Sequence, residues 1–257
     1  VEIPDQIGLL DQMRSLHLDN NHLRSIPSCI SNMTILSRLT LHRNFLEDLP
    51  ISLCGMSTVE NFNCLENPFT RIPPEVYAAR FKDVDCLTMN QLEEEMKKAK
   101  MTSATQMRAK DDALEASRAS VWGYLGRLRT AHRTCSLDLS GLRLRRVPAV
   151  ATEMTFLTSL SLANNKLASV PPTIRRLGGA LVTLDLSYNR LSSLPMDLRF
   201  LTNVEDCRLA GMAMEFLPKE IRAAGVKNLL RFINRMHEAV TTGCLKLDNM
   251  DLTELPK

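Results

Sequence analysis

Two histidines on neighbouring copies of one short pattern are the residues best suited to metal binding. When the copies are aligned, His17 matches Thr40 and His42 matches Asp19, so the two imidazoles do not occupy the same position. A structural zinc site needs four nitrogen or sulfur ligands, and two offset histidines do not provide them. We therefore predict a solvated polar surface at this place and no metal site.

Cysteines are the next candidates for chemistry, and the chain has seven of them. No two of them have the C-x-x-C spacing that is typical of zinc sites. An odd number without a regular framework also differs from small secreted domains. Since Cys64, Cys135, Cys207 and Cys244 lie in or beside predicted strands, most are expected to be small core residues. This pattern favours a reducing, cytoplasmic location.

Motifs of the common enzyme classes are missing from the sequence. It has no G-x-x-x-x-G-K-[ST] phosphate loop, no G-x-S-x-G nucleophile elbow and no H-E-x-x-H zinc motif. The net charge of +3 gives no electrostatic argument for nucleic acid. No apolar run approaches the ~18 residues of a membrane span. The sequence therefore predicts a non-enzymatic protein without a cofactor, a nucleic-acid partner or a membrane span.

A repeated pattern, L-x-L-x-x-N-x-L-x-x-I-P, organises the positions of these side chains. It runs from Leu16 to Pro27 and returns from Leu39, Leu160 and Leu184. Looser copies start at these residues: Phe62, Leu137, Cys207 and Leu245. The closing prolines recur at a nearly constant interval, which is interrupted by two longer gaps, Pro73 to Pro148 and Pro218 to Pro256. A fixed period indicates stacked repeats, because a single repeat cannot bury its own apolar face.

The pattern resembles the leucine-rich repeat family, in particular the short intracellular repeats of Ras-binding and Scribble- or Erbin-like scaffolds and of Roco-type arrays. The resemblance implies an α/β solenoid, a right-handed superhelix with short parallel strands on its concave side. It also implies that an asparagine in each copy hydrogen-bonds the backbone of neighbouring turns. These asparagines would be Asn21, Asn44, Asn67, Asn165 and Asn189. Leu142 and Met212 replace the asparagine in two other copies.

The two long gaps predict helices. We expect a short helical piece over 75–82, a helix from Asn90 to Lys98 and another from Asp111 to about Arg133. One constant offset along the chain aligns this last helix with the segment around Phe232. Five segments are therefore predicted: a first repeat block at 1–80, a helical insertion at 81–133, a second block at 134–218, a helical element at 219–241 and the start of a third block at 242–257.

The concave face is the site that the resemblance implies, because side chains alternating with the core leucines line it. Tyr188 is the best anchor candidate, since interface hot spots favour Tyr, Trp and Arg. The mixed charges favour a protein partner. The candidate partner-binding residues are Asp19, His42, Arg43, Glu66, Asp138, Asp185, Tyr188, Arg208, Lys246 and Asp248.

Two helical stretches leave alternatives open. The segment 93–110 is either a solvated protrusion or a helix that docks a partner. The basic amphipathic segment Arg118 to Arg133 is either a calmodulin or membrane-surface helix, or a structural helix that closes one block and starts the next. The second reading is favoured because the segment around Phe232 has the same apolar stripe.

The sequence thus predicts a cytoplasmic scaffold or signalling module that binds a protein through its concave face or its helical insertion. Two alternatives are a regulatory segment of a larger enzyme, such as a Roco-type GTPase or kinase, and direct binding of a small GTPase. The chain starts without Met inside a repeat and stops just after a repeat's proline, so we expect a piece of a longer array.

Overall fold

A computed structural model of the chain describes residues 2–81, 84–87, 89–99, 101–211, 217–218, 220–221, 225–250 and 252–253. The chain divides into two compact units, Val1–Arg129 (unit 1) and Thr130–Lys257 (unit 2). Each unit is an α/β solenoid built from turns of the repeated pattern. The handedness of the predicted superhelix and the predicted five-segment division stay predictions.

Unit 1 contains a parallel sheet of three short strands, Ser15–His17 (β1), Arg38–Thr40 (β2) and Asn61–Asn63 (β3). The register places the central residues of the three strands side by side. These residues are Leu16, Leu39 and Phe62. Their burial follows from the period of two, which sends every second side chain inward.

The insertion that follows the third strand contains more than the predicted helices. A helix Pro74–Tyr77 (α1) leads into strand Ala79–Phe81 (β4), which pairs antiparallel with Val84–Leu87 (β5). The predicted helical piece over 75–82 is therefore wrong for residues 78–81, and Lys82 lies outside the described residues.

Two helices complete the insertion, Met89–Lys98 (α2) and Ser103–Thr134 (α3). Helix α2 agrees with the helix predicted to begin near Asn90. Helix α3 begins eight residues before the predicted Asp111, because the charged segment before that residue also follows the helical period.

Unit 2 contains the same parallel arrangement in four strands. They are Ser136–Asp138 (β6), Ser159–Ser161 (β7), Thr183–Asp185 (β8) and Asp206–Arg208 (β9). Their central residues also lie in register, as the repeat predicts. These residues are Leu137, Leu160, Leu184 and Cys207.

The proline that closes each copy starts the return leg of the turn. Pro27, for example, has the extended backbone that its ring favours, and a 3₁₀ turn follows it at Ser28–Asn32. Equivalent 3₁₀ turns are Asp5–Leu9, Ile51–Gly55, Pro172–Leu177 and Met196–Phe200. A short α-helix, Ala149–Glu153 (α4), occupies this place after Pro148.

Buried asparagines tie neighbouring turns together, as the family resemblance implies. Asn44 donates to the carbonyl oxygens of Leu18 (2.7 Å) and Leu41 (3.0 Å), and its Oδ1 accepts the N–H of Leu23 at 3.0 Å. Asn67, Asn165 and Asn189 make the same set of bonds. Each therefore bonds three backbone groups in two neighbouring turns. Asn21, which the resemblance also included, bonds only carbonyls of its own turn. Met212 lies outside the described residues.

The residue before each of these asparagine positions has a left-handed backbone. Its φ lies between 54° and 72° in every copy that the described residues contain. These residues are Asn20, Arg43, Glu66, Gly141, Asn164, Tyr188, Gly211 and Asn249. Asparagine and glycine tolerate this region, whereas Arg, Glu and Tyr adopt it at a cost of about 1 kcal/mol. The repeat geometry therefore overrides the local preference of three residues.

The helix Val226–Thr242 (α5) of unit 2 ends in the same way as α3. Cys135 and Gly243, which correspond under the offset found in the sequence, both have a left-handed φ. Their N–H groups donate to Ala131 and Ala239 at 2.9 and 2.8 Å. This left-handed cap satisfies a carbonyl at the helix end and redirects the chain. The relation inferred from the sequence is thus confirmed at the C-terminal end of both helices.

Candidate functional site

The concave face of unit 1 has large polar side chains at the strand positions that alternate with the core. A chain of contacts links two of the three strands. The Thr40 hydroxyl donates to Asp19 Oδ1 at 2.6 Å, and His17 Nδ1 lies 3.1 Å from the same hydroxyl oxygen. Because Thr40 has given its only proton to Asp19, His17 must donate through Nδ1. The pairing of His17 with Thr40 agrees with the alignment predicted from the repeats.

Asp19 is the centre of this cluster. The hydrogen bond from Thr40 is the main reason why the pKa of Asp19 lies below its ordinary value. His42 Nε2 lies 3.9 Å from the other carboxylate oxygen, an ion pair only when the imidazole is protonated. The Nδ1 atom of His42 is buried and has no hydrogen-bond partner among the described residues. Asp19 and His42, both candidate partner-binding residues, therefore belong to one cluster.

Arg43 and Glu66, two further predicted site residues, form an ion pair with each other. Arg43 Nε donates to Glu66 Oε2 at 2.8 Å across neighbouring repeats. Both residues lie at the left-handed position of the turn and not within the strand. The pair forms the rim of the concave face of unit 1.

Helices α2 and α3 cover the same face at the third repeat. Leu65 occupies the position that Asp19 and His42 hold in the first two copies, yet it is only 2% exposed. It is buried because Met96 of α2 and Ala113 of α3 pack against it. The segment 93–110 is therefore not a freely solvated protrusion, since its methionine closes a small apolar core.

The middle of α3 packs on the third repeat through polar contacts at the ends of long side chains. Arg118 Nη1 donates to the Val59 carbonyl at 2.8 Å. The Trp122 indole N–H donates to the Met56 carbonyl at 3.3 Å, and its ring meets Phe62 edge-on at 4.6 Å. The predicted stripe of Val121, Tyr124, Leu125 and Leu128 is buried, and Trp122 is half-buried. These contacts favour the structural reading of this helix over a calmodulin or membrane helix.

A groove of about 480 Å³ lies between strands β2 and β3 and the first half of α3. Its walls carry both charges. The charged and amide residues among them are Arg38, Glu60, Asn61, Asn63, Asp111, Glu115 and Arg118. The Nε atom of Arg118 is buried there without a partner in the described part of the chain. The side chains of Arg38, Glu60 and Asn61 also make no hydrogen bond or ion pair with any described residue.

The concave face of unit 2 is different, because small residues occupy most of the alternating positions. Asp138 and Asp185 accept the backbone N–H groups of Ser140 and Ser187, at 2.8 and 2.9 Å. These predicted site residues therefore stabilise the turns that follow their own strands.

Two more predicted site residues lie at the last described strand of unit 2. Arg208 makes a two-point contact with Asp206 through Nε and Nη2, at 2.9 and 2.8 Å. The ring of Tyr188 is 59% exposed and lies across Gly211, where any Cβ would be 2.3 Å from a ring carbon. Tyr188 is thus a preformed aromatic platform beside a glycine that must stay a glycine.

The remaining two predicted site residues follow α5. Lys246 is exposed, and Asp248 lies 3.9 Å from Nη2 of Arg235 on the helix. They are far along the chain from the groove of unit 1. The ten predicted residues thus lie in separate places: a cluster and an ion pair in unit 1, and single positions in unit 2.

Free thiols and metal sites offer no further chemistry within the described residues. Cys29, Cys54, Cys64, Cys135, Cys207 and Cys244 are free. Burial raises the pKa of the Cys64 and Cys207 thiols to about 12, so both stay protonated at neutral pH and are poor nucleophiles. The described side chains contain no group of three or more metal-ligating residues. No described helix has both the length and the apolar character that a bilayer crossing requires.

Sequence reasoning missed the groove for two reasons. Arg38 and Asn61 lie on strands of recognised repeats, but at the first alternating position, which the candidate list omits. The contribution of α3 could not be seen, because its contacts with the third repeat join residues that are distant in the sequence. One signal was present in the sequence: Leu65 interrupts a polar column and indicates that another element covers it.

Comparisons with known proteins agree with the repeat pattern. A family model described as Leucine Rich Repeat matches residues 12–33, 156–177 and 180–201. The mouse leucine-rich repeat and calponin homology domain-containing protein 1 is 39% identical over 56 residues, 22% of this chain and 8% of that protein.

Two bacterial proteins illustrate the similar solved structures. A Leptospira interrogans LRR protein is 21% identical with a TM-score of 0.31, over 83% of this chain and 47% of that one. An internalin from Listeria monocytogenes is 16% identical with a TM-score of 0.29, over 82% and 46%. The chain thus spans less than half of each and a small part of the mouse protein.

Proposed function

This chain is a leucine-rich repeat protein, and from that premise we propose that it is a non-enzymatic module whose unit 1 binds a segment of a partner protein. The binding site is the groove between strands β2 and β3 and helix α3. Leucine-rich repeat proteins generally act in protein–protein interaction. The proposal assigns that role to one face of one unit.

The observation that supports the groove most strongly is the set of polar groups left without partners. The side chains of Arg38, Glu60 and Asn61 line the groove and bond no described residue, so they are free to pair with a ligand. Asn63 uses its Oδ1 to accept the N–H of Leu65 at 3.1 Å, so its amide N–H groups remain available as donors. The groove therefore offers donors for the backbone of a bound segment.

The charges of the groove favour a protein over a nucleic acid. Arg38 and Arg118 face three carboxylates, those of Glu60, Asp111 and Glu115. A phosphate backbone would be repelled by these acids, whereas a peptide can place side chains of both signs. A scaffold role in a cytoplasmic signalling assembly, with a small GTPase as one candidate partner, belongs to the same proposal. The free cysteines support a reducing compartment.

Filling the groove tests the proposal. Asn61→Trp places an indole between β3 and α3 without touching the core, and Ser136→Trp is the matched change at the equivalent exposed position on the first strand of unit 2. Interacting proteins recovered with each variant are compared quantitatively with those of the unchanged chain. We expect Asn61→Trp to lose specific partners that Ser136→Trp retains. Equal recovery with both variants, each shown to be folded by circular dichroism, would reject the groove.

A further inference from the structure

Five cations lie together on one side of unit 2, which we call the basic flank. The basic flank consists of residues 143–146, 166–169 and 190–193, the parts of three successive turns that follow the asparagine position. It contains no aspartate or glutamate. Its cations are Arg143, Arg145, Arg146, Lys166 and Arg190. The whole chain is nearly balanced, with 32 basic and 29 acidic residues, so this separation of charge is a local feature.

The cations of successive turns lie in a column. The N–H of Lys166 donates to the carbonyl of Leu144 at 2.8 Å, and the N–H of Arg190 donates to the carbonyl of Leu167 at 2.9 Å. The turns are therefore stacked at this point, which places Arg143, Lys166 and Arg190 at successive levels of one column. Neighbouring strands of a sheet lie about 4.8 Å apart, so the column repeats at about that distance. Like charges opposite each other on neighbouring strands are destabilising, and a bound anion would remove this repulsion.

The repeat pattern does not require this surplus of cations, because unit 1 lacks it. At the same positions of unit 1, Arg24 and Arg71 are balanced by Glu47 and Asp48. The Nη1 atom of Arg71 lies 3.7 Å from Oδ2 of Asp48. The surplus of cations is therefore a property of unit 2 and not of the fold.

The exposed side chains of the basic flank are either charged or small. Arg146 and Arg190 are exposed, and their side chains make no hydrogen bond or ion pair with any described residue. The other exposed residues of the flank are Ala168, Ser169, Ser192 and Ser193. The flank thus offers no large apolar side chain to enter a lipid surface and no aromatic ring on which a base could stack. These features favour an acidic protein partner over a membrane or a nucleic acid.

The spacing of the column favours an acidic helix among protein partners. Three stacked turns span about 10 Å between the first and the last level of the column. Carboxylates that recur once per turn of an α-helix span about 11 Å over the same number of steps. Alternate residues of an extended chain span about 13 Å. A helix with a stripe of acids therefore stays in register with the column, whereas an extended segment does not.

We propose that the basic flank binds an α-helix of a partner protein through a stripe of acidic residues, one in each helical turn. The stripe lies along Arg143, Lys166 and Arg190, and Arg145 and Arg146 contact its end at the first turn. The contact depends on charge, so its affinity should decrease as the salt concentration increases. It is independent of the groove proposed for unit 1, because it uses none of the groove residues.

A fluorescein-labelled, stapled helix of alanine and glutamine with one stripe of glutamates serves as the probe, added to the full chain. The matched peptide has the same composition, but its glutamates are spread around the helix. We expect a saturable rise in anisotropy with the striped peptide, which weakens with salt, and an affinity several-fold lower for the matched peptide. Asn61→Trp should leave this affinity unchanged, which separates the basic flank from the groove of unit 1.

Charge variants locate the binding site. Arg146→Glu with Arg190→Glu should weaken binding of the striped peptide about tenfold or more, because two attractive charges become repulsive. Arg176→Glu with Lys227→Glu is the matched control, since it changes the net charge equally at exposed positions of unit 2 outside the flank. This control should retain the affinity. Ser169→Glu places a carboxylate within the flank and should weaken binding several-fold even if the double arginine variant fails to fold.

Four results would overturn the proposal. They are the absence of saturable binding, an equal loss in the two double variants, an equal affinity for the two peptides, and tighter binding of either of two other probes than of the striped peptide. These probes are polyuridine and vesicles rich in phosphatidylserine, and tighter binding would assign the flank to a nucleic acid or to a membrane surface.

Discussion

In unit 1 the Trp122 indole of α3 packs against Phe62, whereas in unit 2 a cavity of about 300 Å³ lies between Cys207 and the equivalent helix α5. The side chains on the concave faces are also larger in unit 1 than in unit 2. Unit 1 has histidine, arginine and asparagine at its alternating strand positions and a helix as a wall. Unit 2 has mostly serine, threonine and aspartate at these positions. The same repeat therefore supports one face with a built groove and another whose described strand positions carry smaller side chains.

The insertion after the third strand accounts for the difference between the units. The asparagine bonds, the strand register and the left-handed turn residues are shared by both units. What unit 1 adds is α2 and a longer α3, which bury Leu65 and complete the groove.

The largest effect is expected from the shared asparagines. Asn44→Ala and Asn189→Ala each remove three hydrogen bonds and leave a buried N–H, that of Leu23 or Leu167, without its acceptor. We therefore expect a loss of about 3 kcal/mol or more in unfolding free energy. Because repeats contact only their neighbours, hydrogen exchange should localise the loss to unit 1 or unit 2, respectively. Asn21→Ala is the control, since this exposed residue bonds only carbonyls of its own turn. An equal loss in the control would contradict the account.

Trp122→Leu changes the contact between α3 and the third repeat of unit 1. It introduces the residue type found at the equivalent position of unit 2, which is Leu230. The change removes the ring contact with Phe62 and the bond to the Met56 carbonyl, and it leaves a cavity. We expect a loss of about 2–3 kcal/mol in the unfolding free energy of unit 1, measured by urea denaturation with exchange readout. Trp122→Phe should cost less because it keeps a ring. An unchanged unfolding free energy in Trp122→Leu would show that the tryptophan does not stabilise the contact between α3 and the third repeat.

A smaller effect is expected from Thr40→Val, which removes the hydroxyl that bonds Asp19. The pKa of Asp19 should rise toward its ordinary value in a carboxylate NMR titration. A lowered pKa stabilises the folded state above the unfolded pKa and loses this contribution as the pH falls. The stability difference between the two proteins, under about 1 kcal/mol for a part-exposed bond, should therefore shrink below pH 3.8.

The matched change in unit 2 is Ser161→Ala. Ser161 occupies the same strand position as Thr40, and its hydroxyl has no hydrogen-bond partner among the described residues. Its removal should leave the acid dependence of stability unchanged. If Ser161→Ala changes the acid dependence of the unfolding free energy as much as Thr40→Val does, the cluster around Asp19 is not the source of the effect.

The smallest effect is expected from Arg43→Asn on the rim of unit 1. The change removes an ion pair with Glu66 that solvent screens, and places a residue that tolerates the left-handed backbone. The two contributions are small and oppose each other, so the unfolding free energy should hardly change. Arg43→Val is the contrast, because a β-branched residue at this φ should destabilise clearly. Equal effects would show that the backbone strain has been misjudged.

The parts of the fold that repeat could be predicted, because the same physical constraint appears in every copy. The alignment of Leu16 with Leu39 and of Leu160 with Leu184 followed from the period alone. The antiparallel pair β4–β5 could not be predicted, since it occurs once and has no turn signature. The left-handed backbone at Arg43 and Tyr188 was hidden for a different reason, because it is imposed by neighbouring turns.

The candidate site was harder to predict than the fold. Asp19 and His42 lie together as the aligned strands require, and Arg43 reaches Glu66 across one repeat. The groove depends on where α3 lies, and that depends on contacts such as Arg118 with the Val59 carbonyl. No local pattern specifies such a long-range bond.

The most direct test of the central claim is site-specific photo-crosslinking of the full chain with a benzophenone amino acid at position 61 or at position 136. Position 61 lies in the groove of unit 1, and position 136 is the equivalent exposed position on the first strand of unit 2. The account predicts that peptides from a partner protein are attached at 61 and not at 136. Attachment at 136 alone, or equal attachment at both positions, would contradict it.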